Sequence, residues 1–134
     1  MRPAPLALLA AVLLGGCAGG EKEAPPEPAT GAPKQVAEVI ARLERAAAAK
    51  DYRTVCALLS SAARERAGGK RCEASLGEQG AGVREPTIRV LSIGIEADRA
   101  TARVRTEAVG QAPVDETIEL VREDGKYLIA ALGG

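Results

Sequence analysis

The chain has 134 residues, with 18 basic and 18 acidic side chains balancing to a formal charge of zero, and it contains no His, Trp or Phe. Balanced charge and two tyrosines as the sole aromatics exclude the basic footprint and the stacking platforms of a nucleic-acid binder. Without His there is no Ser-His or Cys-His nucleophile pair, and the three cysteines show no metal-ligand spacing.

Arg2 supplies a positive start, Leu6–Leu14 is an unbroken apolar stretch of nine residues, and Gly15 and Gly16 precede Cys17. Nine residues are too few to cross a bilayer, which takes about 20. The segment therefore reads as a removed leader. Leu14-Gly15-Gly16-Cys17 resembles the lipobox of bacterial lipoproteins, with an aliphatic residue three before the cysteine and small ones between. That resemblance implies residues 1–16 as signal peptide, Cys17 as the acylated N-terminus, and a lipid-anchored location on the extracytoplasmic face of the cell membrane. Several acyl chains matter, because one alone binds a membrane marginally. The alternative is ordinary secretory cleavage near Ala18.

Residues 17–33 read as the lipidated cysteine and a tether. Pro25, Pro26, Pro28 and Pro33 stiffen a stretch too polar to bury itself. A single domain over residues 34–134 follows.

Pro33 suits a first helical turn, and Val36, Val39, Ile40, Leu43 and Ala47 recur at helical spacing. Glu38 and Arg42 are four apart on the outer side, and Lys50 closes the last turn. Asp51 caps a second helix with Val55, Leu58 and Leu59 inside. Ser60 or Ser61 caps a third, short helix ended by Gly68 and Gly69. A further turn is expected around Arg71 to Leu76. Gly77-Glu78-Gln79-Gly80-Ala81-Gly82 reads as a flexible connector, since no strand precedes it and no Lys-bearing helix follows, as a phosphate loop requires.

From Pro86 the period becomes alternating. Ile88 and Val90 share one face and Leu91, Ile93 and Ile95 the other, which signals a bulge or a strand covered on both sides. Ala100, Ala102, Val104 and Ala108 then alternate with polar residues, as do Ile118 and Leu120, and Lys126–Leu132 is a last strand. Turns are expected at Asp98-Arg99, Gly110 to Pro113 and Asp124-Gly125. Helices followed by four antiparallel strands make an α+β domain.

Cys17 aside, Cys56 and Cys72 remain, 16 apart. In an oxidising compartment they are expected to pair. The competing reading, a redox-active pair beside Lys70 and Arg71, lacks the close spacing of Cys-X-X-Cys.

Val39-Ile40-Ala41-Arg42-Leu43, Lys50-Asp51-Tyr52, Val55-Cys56-Ala57-Leu58-Leu59 and Val121-Arg122-Glu123-Asp124-Gly125-Lys126-Tyr127-Leu128-Ile129 resemble the opening helices and final hairpin of nuclear-transport-factor-2-like domains, SnoaL-like ones included. More narrowly the chain resembles actinobacterial lipoproteins of that fold. The resemblance implies a curved sheet wrapped around helices into a cone with an apolar pocket, and dimerisation through the sheet in some members. Tyr127 stands where Trp is commoner. Tyr52, Tyr127, Val104, Ile118 and Leu120 are the residues expected at the pocket or its rim.

The inward positions Ala102, Val104, Ile118 and Leu120 are apolar. Catalysis would therefore have to draw on Tyr52 or Tyr127 for a hydroxyl and on Asp115 or Glu116 for a carboxylate. Arg103 and Arg105 read as a solvated strand face, or else as a patch for an anionic ligand. No catalytic residue, metal or cofactor is assigned. The expectation is a non-catalytic, membrane-anchored domain that binds a small apolar ligand or a protein partner. The alternative is an isomerase- or cyclase-like enzyme acting on a hydrophobic substrate.

Overall fold

A computed structural model describes residues 31–133. The leader, Cys17 and nearly all of the tether lie outside the described residues. The chain forms α1 (Gly31–Ala48), α2 (Tyr52–Leu58), α3 (Ser61–Arg66), a single 3-10 turn at Gly69–Arg71, and α4 (Cys72–Gly80). The strands β1 (Thr87–Glu96), β2 (Arg99–Ala108), β3 (Gln111–Glu123) and β4 (Lys126–Leu132) follow and pair in chain order as an antiparallel meander. The α+β expectation holds.

In α1 the apolar stripe buries Val36, Ile40, Leu43 and Ala46. Val39 and Ala47 are half-buried at its two margins. Lys50 does not finish α1. It adopts a left-handed conformation beyond the helix, and its ammonium donates to the carbonyls of Gly80, Ala81 and Val83 at 3.2–3.4 Å. Those carbonyls lie at and just beyond the end of α4, so Lys50 ties the end of α1 to the end of α4.

The caps follow the side-chain chemistry. Asp51 accepts from the Thr54 amide at 3.1 Å and from its hydroxyl at 2.6 Å, which holds the Asp51 carboxyl below the usual carboxylate range. Ser60 is the residue that caps α3, accepting from the Ala63 amide at 3.1 Å. Gly68 and Gly69 both take positive φ and end that helix.

The connector expectation for residues 77–82 is corrected. Gly77 to Gly80 are the last residues of α4, in helical conformation although Gly is a poor helix former. Tertiary packing overrides propensity here. The Tyr52 ring lies against Gly77 and Gly80, and a methyl group on Gly80 would overlap the Tyr52 hydroxyl.

In β1 the phase change is a bulge. Val90 faces Val104 and Ser92 faces Arg103, which leaves Leu91 without a partner. One extra residue restores the inward phase. Ile93 therefore joins Ile88 and Val90 against the core, not Leu91 on the opposite side. Register shifts also occur in β2–β3 after Thr106 and in β3–β4 after Glu119. Each adds local twist and bends the sheet. The hairpin turns are Ala97-Asp98, Val109-Gly110 and Asp124-Gly125, so the first two lie one residue or more before their expected places. Asp124 and Gly125 both have positive φ, the conformation a tight two-residue hairpin demands.

The concave face of the sheet buries Ala100, Ala102, Val104, Ile118, Leu120 and Ile129 against α1 and α2. The helical layer touches both sheet edges at one point each. Glu44 of α1 accepts from the Ile88 amide on β1. At the other edge Leu59 bridges Ile129, and the Ser60 amide donates to the Ile129 carbonyl at 2.8 Å. The Cys56–Cys72 disulfide, with 6.2 Å between the Cα atoms, joins α2 to the first residue of α4.

Candidate functional site

The curved sheet and the helices leave a cavity of about 340 Å³ at the open end of the cone. Leu43 and Ala47 of α1, Tyr52 and Val55 of α2, Leu76 of α4 and Ile118 of β3 form much of its wall. Aliphatic walls and a volume of this order are what a small-molecule site requires.

Strand alternation decides what else reaches the cavity. Glu116 is the partner of inward Val104, and Thr106 lies two residues beyond Val104 on the same face. Both line the cavity, together with Gln79 and Ala47 on the helical side. The inward face is thus not wholly apolar: the alternation that buries Ile118 and Leu120 continues to a carboxylate at the mouth. Thr106 donates its hydroxyl hydrogen to the Val114 carbonyl at 3.4 Å. Gln79 donates to the Ser75 hydroxyl at 3.3 Å. Among the described residues the ion pair is Arg105–Asp115, so Glu116 has no cationic partner there.

The five residues expected around the pocket are divided by the structure. Tyr52 and Ile118 line the cavity. Val104 and Leu120 are fully buried in the core and do not line it. Tyr127 is 3% exposed and so does not sit at a solvated edge. It borders a different cavity of about 380 Å³ beside Gln35, Glu38, Arg42 and Lys126, and the Arg122 guanidinium lies 5.5 Å from its ring centroid. That second space has long charged side chains on its walls and a less aliphatic lining than the first.

Asp115 and Glu116 are adjacent but face opposite ways. Asp115 is on the outer side of the sheet, where Arg105 Nε and Nη2 donate to its two oxygens at 2.7 and 3.2 Å. The hydrogen bonding from Arg105 lowers the Asp115 pKa, and the same pair raises that of Arg105. Arg105 is therefore already engaged, while Arg103 is exposed on the same outer face. Cys56 and Cys72 are bonded to each other, as the structural reading requires. Among the described residues no group of His, Cys, Asp or Glu could hold a metal ion.

Glu116 was named in the sequence as one of two carboxylate candidates, but its inward direction depends on register. Thr106 and Gln79 carried no sequence signal. Gln79 lies in a stretch that reads as a loop, and Thr106 is a polar interruption between Val104 and Ala108 on the apolar face of its strand.

No protein-family model and no curated protein matches the chain. Solved structures do. A putative NTF2-like transpeptidase from Campylobacter jejuni is 17% identical, with a TM-score of 0.51, over 75% of this chain and 99% of that one. An NTF2-like protein of unknown function from Shewanella baltica OS155 is 13% identical, with a TM-score of 0.55, over 78% of this chain and 94% of that one. A de novo designed protein with a curved β-sheet is 17% identical, with a TM-score of 0.52, over 74% of this chain and 99% of that one. At these identities the likeness is one of fold, and a fold alone does not name an activity. Helices capped by a bent four-stranded meander, with a cavity at the open end, are the nuclear-transport-factor-2-like fold.

Proposed function

We propose that this chain is a lipid-anchored extracytoplasmic domain, held at the membrane through Cys17, whose cone binds a small apolar ligand without transforming it. The observation that carries the binding reading is the cavity of about 340 Å³ walled by Leu43, Val55, Leu76 and Ile118. Its support is physical: an aliphatic wall left facing water is unfavourable by roughly 25 cal/mol per Å², and a ligand removes that cost. Anchoring rests on Leu14-Gly15-Gly16-Cys17. Among the described residues no helix is long and apolar enough to cross a membrane.

The isomerase- or cyclase-like reading has one observation in its favour. Tyr52 and Glu116 border the same cavity. A hydroxyl and a carboxylate in an apolar pocket are the raw material of proton transfer. The binding reading is preferred because neither the Tyr52 hydroxyl nor the Glu116 carboxylate is aligned by a further side chain, as an acid–base pair requires.

The test uses the full chain carrying Cys17→Ser, which has no acyl group, and the neutral dye Nile red. Dye fluorescence should rise on binding, and Ala47→Phe, which fills the cavity from α1, should abolish the rise while leaving the circular dichroism spectrum intact. An unchanged signal in Ala47→Phe would move the dye out of the cone and overturn the binding reading.

A further inference from the structure

The polar groups at the mouth of the cone can accept hydrogen bonds but offer few. A carboxylate accepts only, and Glu116 has no cationic partner among the described residues. The Thr106 hydroxyl, on the same wall, has its hydrogen on the Val114 carbonyl at 3.4 Å, so that hydrogen is not offered to a ligand. One amide hydrogen of Gln79 is on Ser75, which leaves its carbonyl oxygen open. A ligand seated here has to bring the donors.

The charge around the mouth points the same way. A smaller cavity of about 190 Å³ adjoins the cone and shares Val83, Ile88, Thr106 and Glu116 with it. Glu107 is on its wall, and neither cavity has a Lys or Arg among its lining residues. A basic group on that rim, Lys50, has its ammonium on the carbonyls of Gly80, Ala81 and Val83. An anionic head group would meet the Glu116 carboxylate on the cavity wall, with the hydrogens of that ammonium already shared among three carbonyls. A neutral alcohol would satisfy one acceptor and leave the charge of Glu116 unanswered. An ammonium has three donors and no acceptor, which suits a carboxylate, Glu116, on an otherwise aliphatic wall. Because Glu116 stands where the two cavities join, such a head group keeps part of its water, which reduces its desolvation cost.

We infer that the ligand of the cone is a small aliphatic amine, bound as its ammonium form, with its chain among Leu43, Val55 and Ile118 and its head on the Glu116 carboxylate. This rests on the reading of the cone as a binding cavity.

Displacement of Nile red from the Cys17→Ser chain by octylamine, octanol and octanoate, near neutral pH and at low salt, tests it. Octylamine should displace the dye at about tenfold lower concentration than octanol, the expected effect of one charge-assisted hydrogen bond, and octanoate should be the weakest. Glu116→Gln, equal in size, should bring octylamine to the level of octanol when both are read as displacement of the dye from that same variant. Glu116→Lys should put octanoate first. Equal displacement by all three compounds in the parent chain overturns the inference and leaves the cavity reading standing, and so does an amine preference that survives Glu116→Gln. If neither Nile red nor any octyl compound binds the parent chain, the cavity reading falls and the amine with it.

Discussion

Tyr52 and Gly80 are complementary by subtraction: the ring of one occupies the volume where the other would carry a side chain. In most helix positions Gly→Ala stabilises by about 1 kcal/mol, because Ala restricts the unfolded chain. At Gly80 the sign should reverse. Gly80→Ala should lower stability in urea unfolding by about 1–3 kcal/mol, the range for forcing a methyl into filled space. In the background of Tyr52→Ala the same change should be neutral or stabilising, since contacting residues are coupled. Equal stability gains in both backgrounds would show that the ring does not constrain α4. None of this could be read along the chain, where residues 77–82 display the glycines of a loop. A glycine needed for clearance and a glycine needed for a bend look alike in a sequence. Glu116 poses the same problem. Its type was visible, but its direction depends on which face β3 turns to the core.

The elements that carry their own signals are legible. Asp51 and Ser60 cap helices because short polar side chains reach the free amides of a first turn, and Asp124-Gly125 turns the last hairpin because both residues tolerate positive φ. The bulge at Leu91 was announced by a break in the alternation of β1, although the break alone could not say which side Ile93 would join. α4 had a signal only in its first half, the turn expected around Arg71 to Leu76, and none over Gly77 to Gly80. It is held from outside, by the Cys56–Cys72 bond at its start, the Lys50 ammonium at its end and the Tyr52 ring along its side. Removing the first of these should have a local effect. Cys56→Ala with Cys72→Ala should cost about 3 kcal/mol by the chain-entropy account of a loop of this length. Hydrogen exchange should accelerate first in residues 72–80, and Nile red binding should weaken, because Leu76, Gln79 and Gly80 are wall residues of the cavity. Uniform acceleration across helices and sheet would contradict a local role for the bond.

At the scale of the molecule, the shape and the composition are linked. The largest fully buried side chains are Ile40, Ile118, Leu120 and Ile129, and β2 presents Ala100 and Ala102 to the helices. With no Phe or Trp in the chain, Tyr52 is the one aromatic ring on the wall at the open end of the cone, and a cavity is left there. The outer face of the sheet pairs Arg89 with Arg105 and places Arg103 one row away, with Asp115 engaged by Arg105. The location of the domain is separately testable. Cys17→Ser should shift the protein from the membrane fraction to the supernatant after cell breakage, and a variant that stays with the membrane would remove the anchor from the proposal.

The sequence by itself determined the α+β class, the order of helices and strands, the caps, the last turn and the pairing of two cysteines, because each depends on neighbours within a few residues or on a count. It also carried the lipobox pattern, which is linear by nature. The tertiary structure alone decided which side chains reach the cavity. Strand register turned Glu116 inward and Asp115 outward, a ring from α2 converted a glycine-rich stretch into a helix, and the bends of the sheet set the volume that aliphatic side chains leave unfilled. Such outcomes arise between residues distant in the chain, and local propensity has no term for them.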